Sequence, residues 1–180
     1  MNKGRSAFII AAIPAYNEEK TIAKTVLLAQ KYVDRVVVCD DGSTDMTADI
    51  AEKLGADVVR HGNNMGYGGA IQTLFKKARE LNADAMITLD GDGQHNPSEI
   101  PLLVEPVLEG KADVVIGSRF LGDLGKTNSV PRHRRVGIKV ITKLTGAASN
   151  HRLSDAQSGF RAYGRKALES LSLNENGMGV

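Results

Sequence analysis

The chain has 180 residues, of which 42% are hydrophobic and 24% charged, a balance that fits one globular domain and excludes both a multidomain assembly and a disordered tail. Its 23 basic and 21 acidic side chains leave a net charge of +2, which by itself singles out no polyanionic partner, and no nucleic acid is expected. A single cysteine, Cys39, excludes an internal disulfide framework and points to a reducing, cytoplasmic setting. Apolar runs such as Phe8 to Ile13 fall far short of the roughly 20 residues of a membrane helix, and no secretory leader precedes them, so a soluble chain is expected.

Short β-branched runs alternate with longer segments of helical period, the pattern of a mainly parallel sheet flanked by crossover helices, so the class is α/β. In such sheets ligands sit beyond the carboxyl ends of the strands, and chemistry is sought in the residues that follow each one. The first predicted strand, Ala7 to Ile13, leads through Pro14-Ala15-Tyr16-Asn17-Glu18 into a helix over Glu19 to Lys31. An asparagine-capped turn explains that segment as well as a site does. The second strand, Arg35 to Cys39, ends in Asp40-Asp41-Gly42-Ser43-Thr44-Asp45, with a helix over Thr44 to Leu54. A carboxylate there can accept from a ribose hydroxyl or a base N–H, although helix capping alone also accounts for the pattern. Cys39, inside an apolar run, reads as a small core residue without chemistry.

After a strand over Asp57 to Arg60, Gly62-Asn63-Asn64-Met65-Gly66-Tyr67-Gly68-Gly69 opens a helix over Tyr67 to Leu81. No Gly-Lys-Ser or Gly-Lys-Thr follows, so the segment reads as a structural turn in preference to a phosphate loop. The strand over Ala85 to Leu89 ends in Asp90-Gly91-Asp92-Gly93-Gln94-His95. Two carboxylates one residue apart, set among glycines, can converge on one point and leave room for a phosphate, which suits Mg²⁺ or Mn²⁺. A helix-loop-helix calcium site is disfavoured, because its later acidic ligands are missing and the run follows a strand. None of the four histidines has zinc-ligand spacing, and His95, beside the paired acids, is the one that invites a functional reading.

Asn96 and Pro97 introduce a helix to Leu108, and a strand over Asp113 to Ile116 follows. Beyond a polar loop at 122–129, a basic helix is expected over Pro131 to Leu144. From Arg119 to Arg152 eight Lys or Arg face one acid, a local balance of +7 that leaves −5 for the rest of the chain. That block is a candidate anion or membrane surface. Ser154-Asp155-Ala156-Gln157-Ser158-Gly159-Phe160-Arg161 then sets an acid, a small turn and a cation together, ahead of a short helix over Arg165 to Ser170.

Five of these segments, in order and over nearly the whole chain, carry a family resemblance. They are Ile13-Pro14-Ala15-Tyr16-Asn17-Glu18, Val38-Cys39-Asp40-Asp41-Gly42-Ser43-Thr44-Asp45, Asp90-Gly91-Asp92-Gly93-Gln94-His95, Gly117-Ser118-Arg119-Phe120 and Asp155-Ala156-Gln157-Ser158-Gly159-Phe160-Arg161. Together they resemble the family 2 glycosyltransferases of GT-A fold, a Rossmann-like α/β architecture, and within them the polyprenyl-phosphate (dolichyl-phosphate) sugar synthases. The resemblance implies a single catalytic domain over 1–180, with a donor-binding half (1–117) and an acceptor-side half (118–180). It implies that Pro14, Tyr16, Glu18, Asp40 and Asp41 hold the base and ribose of a nucleoside-diphosphate sugar. Asp90, Gly91 and Asp92 would meet the diphosphate, with Mg²⁺ or Mn²⁺ held by Asp90, Asp92 and Gln94. Arg119, Arg134 and Arg135, with Ser158, fall to the sugar or the acceptor phosphate, and Asp155 to orienting the acceptor. Asp92, Asp155 and Arg119 are the expected catalytic residues. Family members usually run past the point at which this chain ends, so a C terminus shortened relative to the family is also expected.

The expected reaction is inverting transfer of a hexose to polyprenyl phosphate by a cytoplasmic protein, peripheral at a membrane face. The attacking phosphate oxygen is already anionic near neutral pH, since the second pKa of a phosphomonoester is about 6, so no strong general base is required. Three other readings stand beside it: a same-fold transferase with a saccharide or small-molecule acceptor, a sugar nucleotidyltransferase, and a non-catalytic nucleotide-binding module. The acidic stretch Pro14 to Glu19 stands where a nucleotidyltransferase carries a glycine-rich basic loop, and a non-catalytic module has no use for the paired Asp90 and Asp92. Uridine and guanosine donors are both open, with a lean to uridine.

Overall fold

The computed structural model describes residues 6–118, 137–141 and 159–171. β1 (Ile9–Ala15), β2 (Arg35–Asp40), β3 (Asp57–Arg60) and β4 (Ala85–Thr88) pair in parallel. Helices α1 (Ile22–Ala29), α2 (Thr47–Lys53) and α3 (Gly66–Glu80) link each of these strands to the next. A 3-10 turn at Pro97–Glu99, capped by Asn96, leads into α4 (Ile100–Leu108) and then β5 (Val114–Ser118). β6 (Gly137–Ile141), β7 (Arg161–Gly164) and α5 (Arg165–Ser170) complete the described elements. The sheet order is β3-β2-β1-β4-β7-β5-β6.

Helices cover both faces of the sheet, which is why its strands read as apolar runs without alternation. Ile13, Val36, Val38 and Ile87 pack with Ile22, Val26, Leu103 and Val104 on the side of α1, α2 and α4. Ile10, Val37, Cys39 and Met86 pack with Leu74, Phe75 and Leu168 on the side of α3 and α5. Phe75 is fully buried and meets Tyr163 edge to face, with centroids 4.8 Å apart at 73°. Phe75→Ala is expected to cost about 3–5 kcal/mol, read in denaturant titration as a lower midpoint at an unchanged slope.

β1 runs two residues past the expected Ile13 and takes in Pro14. Leu89 N–H donates to Ala12 O, so the even-numbered backbone groups of β1 turn toward β4. Pairing with β4 ends at Ala12 while pairing with β2 continues to Ala15. The N–H that Pro14 lacks is therefore not missed by the ladder.

Two expectations are corrected on the acceptor side. Residues 137–141, expected to be helical, form β6, antiparallel to β5 from Ser118↔Gly137 to Val114↔Ile141. Ile138, Val140 and Ile141 are β-branched, and an open edge of β5 offers their backbone a ladder that a lone amphipathic pattern does not outweigh. Arg161, read as the end of a loop, opens β7 (with 162–164, to which the sequence reading gives no element), inserted antiparallel between β4 and β5. The sheet is therefore mixed, with three parallel and three antiparallel pairings, although β5 runs in the same direction as β1 to β4.

Candidate active site

β1 and β2 end side by side, and the loops that leave them are stitched together by side chain to backbone bonds. Asn17 N–H donates to Ser43 Oγ (2.9 Å), Glu18 N–H to Thr47 Oγ1 (2.7 Å) and Glu19 N–H to Asp45 Oδ2 (3.1 Å). In return Thr44 N–H donates to Asn17 Oδ1 (2.9 Å) and Met46 N–H to Glu19 Oε2 (3.3 Å). They hold the residues ahead of each helix in loop geometry, and α1 and α2 start three residues later than the sequence suggests. Much of both acidic motifs is thus scaffolding that shapes the two loops.

Beside them opens a cavity of about 280 Å³, lined by Pro14, Ala15, Tyr16, Glu18 and Asp41 from the first two strand ends and by Asp90, Gly91 and Asp92 from the fourth. Residues expected to hold the nucleoside and residues expected to hold the metal and diphosphate therefore meet in one place. Two of the expected residues do not line it. Asp40 follows the alternation of β2 onto the face of Val36 and Val38, opposite Val37 and Cys39, which pack toward α3. It is 4% exposed, and its Oδ1 has no hydrogen-bond partner among the described residues. Gln94 is exposed and lies outside the lining.

Asn64, Gly66, Tyr67 and Ala70 supply the facing wall, so the glycine-rich segment read as a structural turn is part of the cavity. Asp41 organises it. Its Oδ1 accepts from Met65 N–H (2.9 Å) and pairs with His61 Nδ1 (2.6 Å), and its Oδ2 accepts from Gly66 N–H (2.8 Å) at the start of α3. Gly42 sits at φ +78°, and a Cβ there would come within 2.9 Å of Asn63 C and Asn64 N. Only glycine lets the β2 turn rest on this loop. Burial first, then the charge of Asp90, pushes the Tyr67 phenol well above its ordinary pKa, against the opposing charge of Arg161. Tyr67 is thereby held as a neutral hydrogen-bond donor at the cavity wall. Cys39, whose thiol burial and the charges of Asp41 and Asp40 push up to about 12, is inert as expected.

Asp90 N–H donates to His95 Nδ1 (3.1 Å), and Nε2 of the same ring lies 3.6 Å from Asp90 Oδ2. The imidazole stacks on Phe160, centroids 5.2 Å apart at 15°. Asp92 Oδ1 accepts from Gln94 N–H (2.9 Å). Among the described residues no three His, Cys, Asp or Glu side chains form a protein-only metal cage. The donor set fits Mg²⁺ or Mn²⁺ all the same, because such ions are commonly held by one or two carboxylates and complete their shell with waters and phosphate oxygens. Arg119, Arg134, Arg135, Asp155 and Ser158 lie outside the described residues, as does the loop at 122–129. No helix among the described residues is long and apolar enough to cross a membrane.

Residues 10–172 match the description of glycosyl transferase family 2. The chain belongs to that family. It is 35% identical to the UDP-N-acetylglucosamine–dolichyl-phosphate N-acetylglucosaminyltransferase of Methanococcus voltae, over 91% of this chain and 72% of that protein. It is 31% identical to the undecaprenyl-phosphate mannosyltransferase of Micrococcus luteus, over 92% of this chain and 70% of that one. Among solved structures, glucosyl-3-phosphoglycerate synthase of Mycobacterium tuberculosis in complex with Mg²⁺ and uridine diphosphate superposes with a TM-score of 0.63 at 26% identity. The match covers 92% of this chain but 59% of that enzyme's, so the described sheet corresponds to part of a longer protein there. The family 2 domain has the GT-A fold of that neighbour.

Proposed function

We propose that this domain transfers a hexose, with inversion at the anomeric carbon, from a uridine-diphosphate sugar to a polyprenyl phosphate at the cytoplasmic face of a membrane. One observation carries the donor half: Pro14, Tyr16, Glu18 and Asp41 line the same cavity as Asp90 and Asp92, so nucleoside and diphosphate ends of one ligand have adjoining seats. Asp41 accepts an N–H of the base, and Tyr67 donates to the ligand. Asp90 and Asp92 hold Mg²⁺ or Mn²⁺, which when bound screens the charge that grows on the departing diphosphate. The acceptor half is supported by likeness to two transferases named for lipid phosphates and by the basic block at 119–152. In this reading Arg119, Arg134 and Arg135 draw an anionic acceptor, Asp155 and Ser158 orient it, and its phosphate oxygen attacks without a strong base.

The test is a thermal-shift panel followed by a transfer assay. Uridine diphosphate and its sugars with Mn²⁺ are expected to raise the melting temperature through mass action, more than without Mn²⁺. Radiolabelled sugar should then appear on polyprenyl phosphate in vesicles. Transfer to free saccharides in place of the lipid would overturn the acceptor assignment, and an unshifted melting temperature with every nucleotide would overturn the donor assignment.

A further inference from the structure

We infer that His61 determines which base the donor site accepts, by filling one oxygen of Asp41; this rests on the donor reading above. His61 follows β3, and its backbone N–H donates to Asp40 O (2.9 Å). Its side chain, 9% exposed, lies between Asp41 Oδ1 (2.6 Å from Nδ1) and Thr73 Oγ1 on α3 (2.8 Å from Nε2). An ionised carboxylate is acceptor-only, so the bond to Asp41 places a proton on Nδ1; Nε2 of the neutral ring is then an acceptor, with the Thr73 hydroxyl at 2.8 Å and Cys39 Sγ at 3.5 Å within reach. Thr73, His61 and Asp41 thus close a ring that returns to α3 at Met65 and Gly66.

The ring sets how many donors Asp41 has left to accept. A carboxylate offers about four lone-pair sites. Both sites of Oδ1 are taken, by His61 and by Met65 N–H, and one site of Oδ2 is taken by Gly66 N–H. Asp41 therefore presents to the cavity an acceptor for one N–H. Uracil has one N–H on its pairing edge. Guanine has two neighbouring donors there, N1–H and the N2 amine, which match the two oxygens of an open carboxylate. With Oδ1 filled, the second guanine donor loses water and gains no partner, and an unpaired polar group is costlier than a missing contact. Asp41 as the His61-loaded acceptor favours uracil, and the selectivity resides in His61 as much as in the carboxylate that touches the base.

The experiment measures calorimetric affinities for UDP and GDP, with Mn²⁺, in the parent, His61→Leu and His61→Asn. The parent is expected to favour UDP. His61→Leu frees a site on Oδ1 and should reduce the UDP-to-GDP affinity ratio at least about tenfold, whereas His61→Asn, whose amide can still donate to Asp41, should keep most of it. A fall of both affinities by the same factor in His61→Leu would show a merely structural role and overturn the proposal with the donor reading intact, whereas a parent that prefers GDP would overturn the proposal together with the choice of uridine, leaving only the seat for a nucleoside diphosphate. A parent that binds neither nucleotide overturns the donor reading itself. If His61→Leu does not fold, nitrogen-15 NMR of the parent decides, since a bare Nδ1 on His61 would leave it nothing to donate and sink the proposal.

Discussion

Asp92→Asn is expected to weaken the Mn²⁺-dependent affinity for UDP by on the order of 100-fold, since loss of even an outer-sphere partner costs 10- to 100-fold in such sites. Sugar transfer should fall by ~10²–10³, the effect of deleting one electrostatic contact to developing charge. The substitution is a clean probe because the Oδ1 that accepts Gln94 N–H survives in asparagine, so the local turn persists while the charge goes. Asp41 and the wall at Asn64 to Ala70 are untouched, so uridine monophosphate without metal should bind as it does to the parent. Titration calorimetry with and without Mn²⁺ separates the two contributions. Parental affinity for UDP in Mn²⁺ would remove Asp92 from the metal site.

The strand-end lining of the cavity is legible in the sequence because chemistry in a parallel sheet concentrates at strand ends, and each of Pro14 to Glu18, Asp41 and Asp90 to Asp92 follows an apolar run that marks one. What was not readable has physical causes. A strand buried on both faces shows no alternation, so its phase is hidden. Nothing in Val36-Val37-Val38-Cys39 tells whether Asp40 or Asp41 reaches the cavity, and the structure turns Asp40 to the opposite face. β7 spans four residues, too few for any period to register, and its partners β4 and β5 are far away in sequence. His61 has no motif around it; its part depends on Asp41 and Thr73, which only the fold brings to the same ring. The glycines at Gly66 to Gly69 did carry a signal, but a phosphate-loop template was the wrong comparison for a wall whose contribution is Asn64, Tyr67 and close backbone approach.

The resemblance gives the segment from Asp155 to Arg161 to the acceptor, and its described end bears more directly on Asp90, one of the two carboxylates proposed to hold the metal. Gly159 Cα lies against the Asp90 carboxylate: a Cβ at Gly159 would overlap both carboxylate oxygens and stand 2.8 Å from Cγ. Neither neighbour can move freely. Gly159 O accepts from Thr88 Oγ1 (2.6 Å), which ties it to the end of β4, and His95 Nε2 stands 3.6 Å from Asp90 Oδ2 with its ring stacked on Phe160. Gly159→Ala must therefore turn Asp90 out of its seat or shift β7 against β4. Overpacking of this kind costs about 1–3 kcal/mol, a fall of roughly 2–12 °C in melting temperature for a domain of this size. The larger effect is on binding, because a displaced Asp90 no longer converges with Asp92: Mn²⁺-dependent UDP affinity should drop at least about tenfold, while metal-free uridine monophosphate binding at Asp41 stays near the parental value. A Gly159→Ala protein with parental melting temperature and parental UDP affinity in Mn²⁺ would show that the glycine is not the wall against which the metal-binding carboxylate is set.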